Sequence, residues 1–554
     1  MSQAGIHRFR FARTVLALSM LIMGACGIIY EYALGVLGNN LIGSSHEQIF
    51  VIIGIMMFAM GLGAVIQRNI SHDLVDRFLL FELLLGVLGG VSTMTIYATF
   101  VYSTSYTVVM YGFAVVVGIL IGLEIPLLIR INAEYAKSLR TNLSDILCMD
   151  YVGSLVGALV FTYILLTRLS VGRIALVLGC VNTLLALGGL FYFWPLVRRP
   201  RPLALACATS LMGLLFCLVN IDAWTATLEQ RAFEDPIVHS QTTKYQHLVL
   251  TKRGSRLRMY INGHQQFCSD DEVIYHEMLV HVPMAVAPSR KNLLILGGGD
   301  GLALREVLRY GDVRKITLVD IDPEVVRLAS EHPDLIRMNR AAFHDARVHT
   351  RTAQGISPGE TITVTAATKL ARQLLDQREY RLADVHVITV DADLFVRDLG
   401  ESYDVVIVDL PDPKTVELAK LYSVDFYRAL AQRLTPHAVV SIQSTSPYRA
   451  KEVFLCIGKT LRAAGFRVLP YQDHLPSFGD WGWYLAWRAP IKEQEMRRRL
   501  SNLSQIPVHT HYVTPEAIGA AFVFGKDRLH TDEDLLPNTK LRPAIIHYYT
   551  LGFQ

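Results

Sequence analysis

Five aspartates in the second half of the chain stand where a parallel sheet would deliver side chains to a ligand. Asp320 ends an apolar run at 316–319, Asp391 ends one at 385–390, and Asp409 ends one at 405–408. Asp300 lies within Gly297-Gly298-Gly299-Asp300-Gly301, directly after a fourth short run at 292–296, and Asp412 follows Asp409 by three residues. Open α/β sheets hold ligands outside the carboxyl ends of their strands, so these positions predict one crevice carrying several negative charges. A single aspartate after a strand is as readily a helix cap. Four of them converging with Asp412 on one crevice are harder to read as caps alone.

The glycine-rich turn permits a tight strand-to-helix connection and a close backbone approach to a ligand, and an acid about 20 positions on can bind a ribose diol. Gly301 to Asp320 is 19 positions. A nicotinamide dinucleotide fits poorly, because Asp300 would repel a pyrophosphate at the helix N-terminus. An adenosine ligand without phosphates fits better. S-adenosylmethionine would set its own carboxylate against Asp300, which weakens a methyltransferase reading, whereas the decarboxylated form carries only an ammonium and would be attracted.

These residues need a scaffold. The order strand (292–296), turn, helix (302–309), strand (316–319), then strands into Asp391 and Asp409, predicts a doubly wound, Rossmann-like α/β domain of the methyltransferase type over 285–490. Ahead of it, alternating runs at 245–250 and 258–261 with Asn262-Gly263, then a helix at 271–282, predict a small antiparallel β-module over 236–284. Residues 491–554 form a C-terminal extension.

The rest of the chain is of another kind. Residues 1–222 carry 13 Lys/Arg and 10 Asp/Glu, against 40 and 39 in the remaining 332, so a multi-span α-helical membrane region precedes a domain of soluble-enzyme composition. Seven spans are expected near 15–37, 49–66, 78–101, 108–128, 151–166, 175–193 and 203–219. Neither part is basic enough to suggest nucleic acid. Seven cysteines without a CxxC pair argue against a disulfide framework and a zinc site, so no metal is expected. Lys/Arg bias places the loops holding Arg8, Arg68, Arg130 and Arg198 on the cytoplasmic side; with seven spans the C-terminal part is then external, unless one weak segment does not span or a re-entrant segment is hidden. Glu31 and Glu124 are the acids assigned to spans, where carboxylates are functional hypotheses by default.

Tyr245-Gln246, the stretch from Asp271 through Tyr275-His276 to Met278, Leu296 to Gly301, Val319-Asp320-Ile321-Asp322, Val408-Asp409-Leu410-Pro411-Asp412-Pro413 and Leu421 to Tyr427 together resemble the polyamine aminopropyltransferases, with spermidine synthase the main member. The likeness covers 241–487, and the spans ahead of it resemble the membrane-bound bacterial branch. It implies transfer of the aminopropyl group of decarboxylated S-adenosylmethionine to putrescine, giving spermidine and methylthioadenosine, with that donor as co-substrate and no separate cofactor. By position, Asp320 would bind the ribose, Asp391 the adenine side, and Asp300 with Gln246 the aminopropyl end beside Gly297 and Gly299. Tyr275, His276, Asp412 and Trp481 would hold the diamine, and Asp409 would be the base.

An alkyl amine with a pKa near 10.4 leaves about one molecule in a few thousand neutral at pH 7, a deficit of roughly 4.6 kcal/mol. A carboxylate within reach removes that deficit by taking the proton as the amine attacks. Three features depart from the family pattern: Asp320 in place of Glu, a run at 349–383 before the strand into Asp391, and a segment Pro476-Ser477-Phe478-Gly479-Asp480-Trp481 without the tyrosine expected beside the amine. The expected setting is the inner cell membrane, with the lipid bilayer as partner, a cytoplasmic catalytic face because the substrates are cytosolic, and a homo-oligomer as in soluble members. The competing readings are a polyamine or cation transporter with a sensing domain, and transfer to a different amine.

Overall fold

The structure is a computed structural model that describes residues 3–42, 47–133, 139–344, 348–352, 383–398 and 400–551. The chain divides into two compact units, Met1–Glu234 and Asp235–Gln554.

The first unit is helical: α1 (Gln3–Ile42), α2 (Glu47–Ile66), α3 (Leu74–Tyr102), α4 (Tyr106–Asn132), α5 (Leu139–Val160), α6 (Val171–Tyr192) and α7 (Pro200–Ala232). Seven helical stretches among the described residues are long and apolar enough to cross a bilayer. Two exceed the apolar runs in the sequence. The fifth spans Arg140–Arg168, starting among polar residues before Tyr151, and the seventh spans Pro200–Ala232. Helices in lipid associate by close backbone approach at small residues. A Cβ on Gly122 would strike the backbone of Met60, and one on Gly153 the backbone of Leu21.

The second unit opens with an antiparallel sheet, β1 (Ile237–Thr242), β2 (His247–Arg253), β3 (Arg256–Ile261) and β4 (His264–Cys268), paired in sequence order. Asn262 (φ 50°) and Gly263 (φ 78°) both adopt left-handed backbone between β3 and β4, as a two-residue hairpin turn of Asn-Gly type requires. Helix α8 (Glu272–Val286) follows, with Asp271 before it accepting bonds from the Ser477 amide and hydroxyl at 2.6 and 2.9 Å.

The large sheet has eight strands: β5 (Asn292–Gly297), β6 (Lys315–Asp320), β7 (Val348–Thr352), β8 (Asp384–Thr389), β9 (Tyr403–Asp409), β10 (Leu434–Gln443), β11 (Arg467–Leu475) and β12 (Gly479–Trp487), in the order β11-β12-β10-β9-β5-β6-β8-β7. The pairings from β10 through β7 are parallel, and β12 runs antiparallel to β10 and β11. Alternate residues face two cores. Ile295, Ile316 and Ile407 pack on one side, Leu296, Val319 and Val408 on the other, which is why these strands appear in the sequence as unbroken apolar runs. The chain builds β6, β7 and β8 to one side of β5, then crosses to β9 and β10 on the other. The order therefore reverses between β5 and β9, where Gly297 pairs with Asp409. Of the run at 349–383 ahead of β8, residues 353–382 lie outside those described.

The C-terminal extension packs on this domain. Glu277 of α8 accepts from the amides of His511, Tyr512 and Val513 at 2.7, 2.8 and 2.9 Å. Asn538 donates to the carbonyls of Ala419 and Tyr422, and the last helix, α9 (Ala544–Leu551), packs against the helices Lys451–Ala463 and Val416–Ala419.

Candidate active site

The reversal of strand order between β5 and β9 makes the crevice. At Gly297 the φ is +84° and an added Cβ would run into the Asp409 carbonyl; at Gly299 a Cβ would stand 2.6 Å from Asp320 Oδ2. Both positions exclude side chains, and the turn therefore lies directly against the Asp409 main chain and the Asp320 carboxylate.

Asp409 is at the centre. Its Oδ1 accepts the Tyr275 hydroxyl at 2.7 Å, and its Oδ2 is 4.0 Å from His276 Nε2. Burial pushes the Asp409 carboxyl above its ordinary range, against the charge of His276 and the Tyr275 bond. Tyr275 and His276 are neighbours on α8, and their rings meet edge to face at 4.9 Å. His276 Nδ1 sits 2.9 Å from Glu272 Oε2. Burial alone would lower the imidazole, but the Glu272 bond and the charges of Glu272, Asp300 and Asp409 overcome it and push it up to about 9. At neutral pH His276 is an imidazolium. Glu272 also takes a two-point contact from Arg305 at 2.8 and 2.9 Å, and against its burial the His276 bond and then Arg305 hold its carboxyl low.

The other predicted carboxylates line the same crevice. Asp320 Oδ2 accepts the Gly299 amide and Oδ1 the Asp322 amide, both at 2.9 Å. Asp300 Oδ1 accepts the Leu302 amide at 2.9 Å. Burial raises both groups to about 6, opposed at Asp320 by the two amides and at Asp300 chiefly by His276. Asp412, in the loop after β9, accepts from Gln443 Nε2 at 2.9 Å, the Thr445 hydroxyl at 3.3 Å and the Tyr549 hydroxyl at 3.0 Å.

Three predicted residues stand differently from their neighbours. Asp391 caps the helix Ala392–Arg397 through the Asp393 amide and pairs with Lys420 Nζ at 2.5 Å. Gln246 lies in the turn before β2, and its side chain bonds Asp322 rather than Asp300. Trp481 is half-buried, packs against Phe478 at 5.2 Å, and has an indole N–H without a partner.

Several residues of the crevice escaped the sequence reading. Gln443 and the Tyr422 hydroxyl both bond the Leu410 carbonyl, at 2.9 and 3.0 Å, fixing the loop that carries Asp412. The strand end before Gln443 was the available signal. Glu272 and Arg305 hold His276 from behind, and Tyr549 reaches Asp412 from the far end of the chain. Among the described residues, Glu277, His281 and Glu306 are grouped closely enough to hold a metal ion. Glu306, however, pairs with Arg305 and Arg309, each at 2.7 Å. The cationic partners make that trio an internal ion-pair network and a poor metal fit. In the helical unit, Glu31 and Glu124 fall within candidate spans as expected; both are buried, as is Glu82 in the Leu-rich third span, which the sequence reading did not single out.

Residues 272–360 and 365–497 match the family model described as "Spermine/spermidine synthase domain". The chain is similar over nearly its whole length to curated proteins. "Polyamine aminopropyltransferase 1" of Streptomyces coelicolor is 36% identical, covering 98% of this chain and 95% of the relative. "Polyamine aminopropyltransferase" of Leptospira interrogans is 33% identical, covering 87% and 89%. A crystal structure of spermidine synthase in complex with the transition-state analogue AdoDATO aligns at 21% identity and a TM-score of 0.42, covering 53% of this chain and 88% of that one.

Proposed function

The chain belongs to the polyamine aminopropyltransferase family, and on that premise we propose that its crevice moves the aminopropyl group of decarboxylated S-adenosylmethionine to putrescine, with Asp409 as base. The observation that carries this reading is Asp409 at the strand-order reversal, held by Tyr275 and facing the His276 imidazolium.

The donor's ribose binds at Asp320 beside the Gly299 amide, with the adenine toward Asp391, and its terminal ammonium is drawn to Asp300. The diamine lies along Tyr275, His276 and Trp481, with its far ammonium at Asp412. Its near nitrogen attacks the methylene carbon attached to the sulfonium. A C–N bond forms, the C–S pair leaves with sulfur as neutral methylthioadenosine, and the proton released by nitrogen passes to Asp409. Burial raises the proton affinity of Asp409, which suits it to that task, and His276 keeps the carboxylate ionised until the proton arrives. With a neutral leaving group, most of the rate comes from holding nitrogen, carbon and sulfur in line and from the fixed charges around them.

The donor is consumed as a co-substrate, so the reaction needs no further cofactor. We place the enzyme in the cell membrane as a homo-oligomer with its catalytic unit on the cytoplasmic side, where the substrates are made. The membrane setting is supported by the seven apolar helices. Mass-spectrometric product analysis of the full-length protein, supplied with donor and putrescine beside Asp409→Asn, tests the chemistry. Spermidine and methylthioadenosine, lost in the variant, are expected; no product from putrescine would reject the assignment of acceptor.

A further inference from the structure

The helical unit buries polar side chains that find no hydrogen-bond partner among the described residues. Glu82 on α3 is 1% exposed, and neither of its carboxylate oxygens has a hydrogen-bond partner. Glu124 on α4 has one oxygen in the same state. Tyr30 on α1 has a buried hydroxyl without a partner, and Asn182 on α6 has neither end of its amide bonded.

These groups gather in one place. The Tyr30 ring and hydroxyl lie over Gly89, about two turns along α3 from Glu82. Cys26 and Tyr30 are both within electrostatic reach of Glu82 and Glu124, and Glu124 is within reach of Glu82. Asn182 stands one turn beyond Leu178, which packs in the same apolar cluster as Tyr30, Leu34 and Leu85. Three helices thus bring Tyr30, Glu82 and Glu124 within electrostatic reach of one another, with the buried Asn182 amide on a fourth.

Acceptors left unpaired in a protein interior are costly, and in a bilayer no bulk water relieves them. The set holds three unpaired carboxylate oxygens beside the Tyr30 hydroxyl and the Asn182 amide, and the complement of its carboxylates is a positively charged ligand with several N–H groups. A divalent metal would ask for six or more oxygens, whereas the unpaired carboxylate oxygens here number three, two on Glu82 and one on Glu124. An ammonium on a hydrocarbon chain matches both features: its N–H groups meet the carboxylates, its methylenes meet Leu34, Leu85 and Leu178, and the Tyr30 ring offers a face to the charge.

We propose that the helical bundle carries a second binding site, centred on Glu82, Glu124 and Tyr30, for alkylammonium cations of the class that the catalytic crevice takes as acceptor. This rests on the diamine reading of that crevice. Equilibrium dialysis of labelled putrescine against the full-length protein in detergent micelles tests it by stoichiometry. Two sites per chain are expected in the wild type, one in Glu82→Gln/Glu124→Gln, and one in Asp409→Asn/Asp412→Asn. A wild type with one site, abolished by the aspartate pair, would overturn the proposal and leave the catalytic reading standing. Two sites with no product from any amine would reject the catalytic reading alone.

If the glutamine pair does not assemble, infrared difference spectra of the Asp409→Asn protein at pH 8 carry the test, since Asp300 and Asp320 are ionised there. Putrescine should abolish the carbonyl absorption of protonated buried carboxyl groups. A band that responds to pH but not to putrescine would mean a protonated pair without a ligand, and the proposal would fall.

Discussion

The Tyr275 hydroxyl donates to Asp409 Oδ1 at 2.7 Å, joining the first turn of α8 to the end of β9. The bond favours the ionised carboxylate, which is the form a base must have before it accepts a proton. Asp409→Asn should therefore lower kcat by about 10²- to 10⁴-fold with little change in donor KM. Tyr275→Phe removes only the bond, worth roughly 1.5–3 kcal/mol to a charged group, and should push the Asp409 carboxyl further up. The acid limb of the kcat/KM profile should then move to higher pH in Tyr275→Phe. An acid limb in its wild-type position would show that Asp409 is not the titrating base.

His276 predicts a pH dependence of stability. Its folded-state pKa, about 9, lies above the ordinary 6.5 because Glu272 and the crevice carboxylates hold the proton. The contribution is complete below pH 6.5 and is lost as pH climbs through about 9; a shift of that size corresponds to ~3 kcal/mol. Thermal melts of the full-length protein should show the wild type losing its advantage over His276→Gln across that window. Parallel curves from pH 6 to 10 would mean that His276 is neutral throughout.

Parallel strands buried on both faces must be continuous apolar runs, and their ends must point at the ligand. That is why Asp300, Asp320 and Asp409 were legible from sequence alone, as was the hairpin at Asn262-Gly263. The sequence says less about what completes their surroundings. Lys420 pairs with Asp391 from 29 positions away, Asp322 takes the Gln246 side chain, and neither partner choice follows from strand ends. Glu82 was hidden differently: apolar neighbours made its span obvious, while its lack of partners is visible only in the packed bundle.

Donor binding should weaken in acid. Asp300 and Asp320 are raised to about 6 by burial, so below that pH they take up protons and lose the charge that attracts the donor's ammonium and orders its ribose. KM for decarboxylated S-adenosylmethionine should rise as pH falls from 7 to 5, by at most about tenfold per unit for each carboxylate that must be ionised. At pH 7.5, Asp320→Asn should raise it by roughly 10- to 100-fold, the loss of one charge-assisted hydrogen bond, whereas Asp320→Glu restores the longer side chain and should stay near wild type. A donor KM flat between pH 5 and 7 would separate these carboxylates from the donor.

Tyr549, in the C-terminal extension, brings a tyrosine hydroxyl to Asp412, whereas the aromatic segment at 476–481 holds no tyrosine. Its hydroxyl reaches Asp412 Oδ2 at 3.0 Å, the oxygen that Thr445 also touches at 3.3 Å. Lys414 Nζ stands 5.5 Å above its ring. Because Gln443 holds the other oxygen, the Asp412 carboxylate is fixed in orientation from both sides, and a fixed acceptor binds an ammonium without first losing rotamer freedom. Tyr549→Phe keeps the ring and the packing of α9 but leaves Oδ2 with only the longer Thr445 bond. KM for the amine should then rise by about 3- to 10-fold, with donor KM and melting temperature unchanged, and the penalty should be greater for a diamine than for a monoamine that cannot reach Asp412. Equal penalties on diamine and monoamine, or a fall in melting temperature with no change in amine KM, would make Tyr549 a packing residue and leave the acceptor end of the crevice to Gln443 and Asp412.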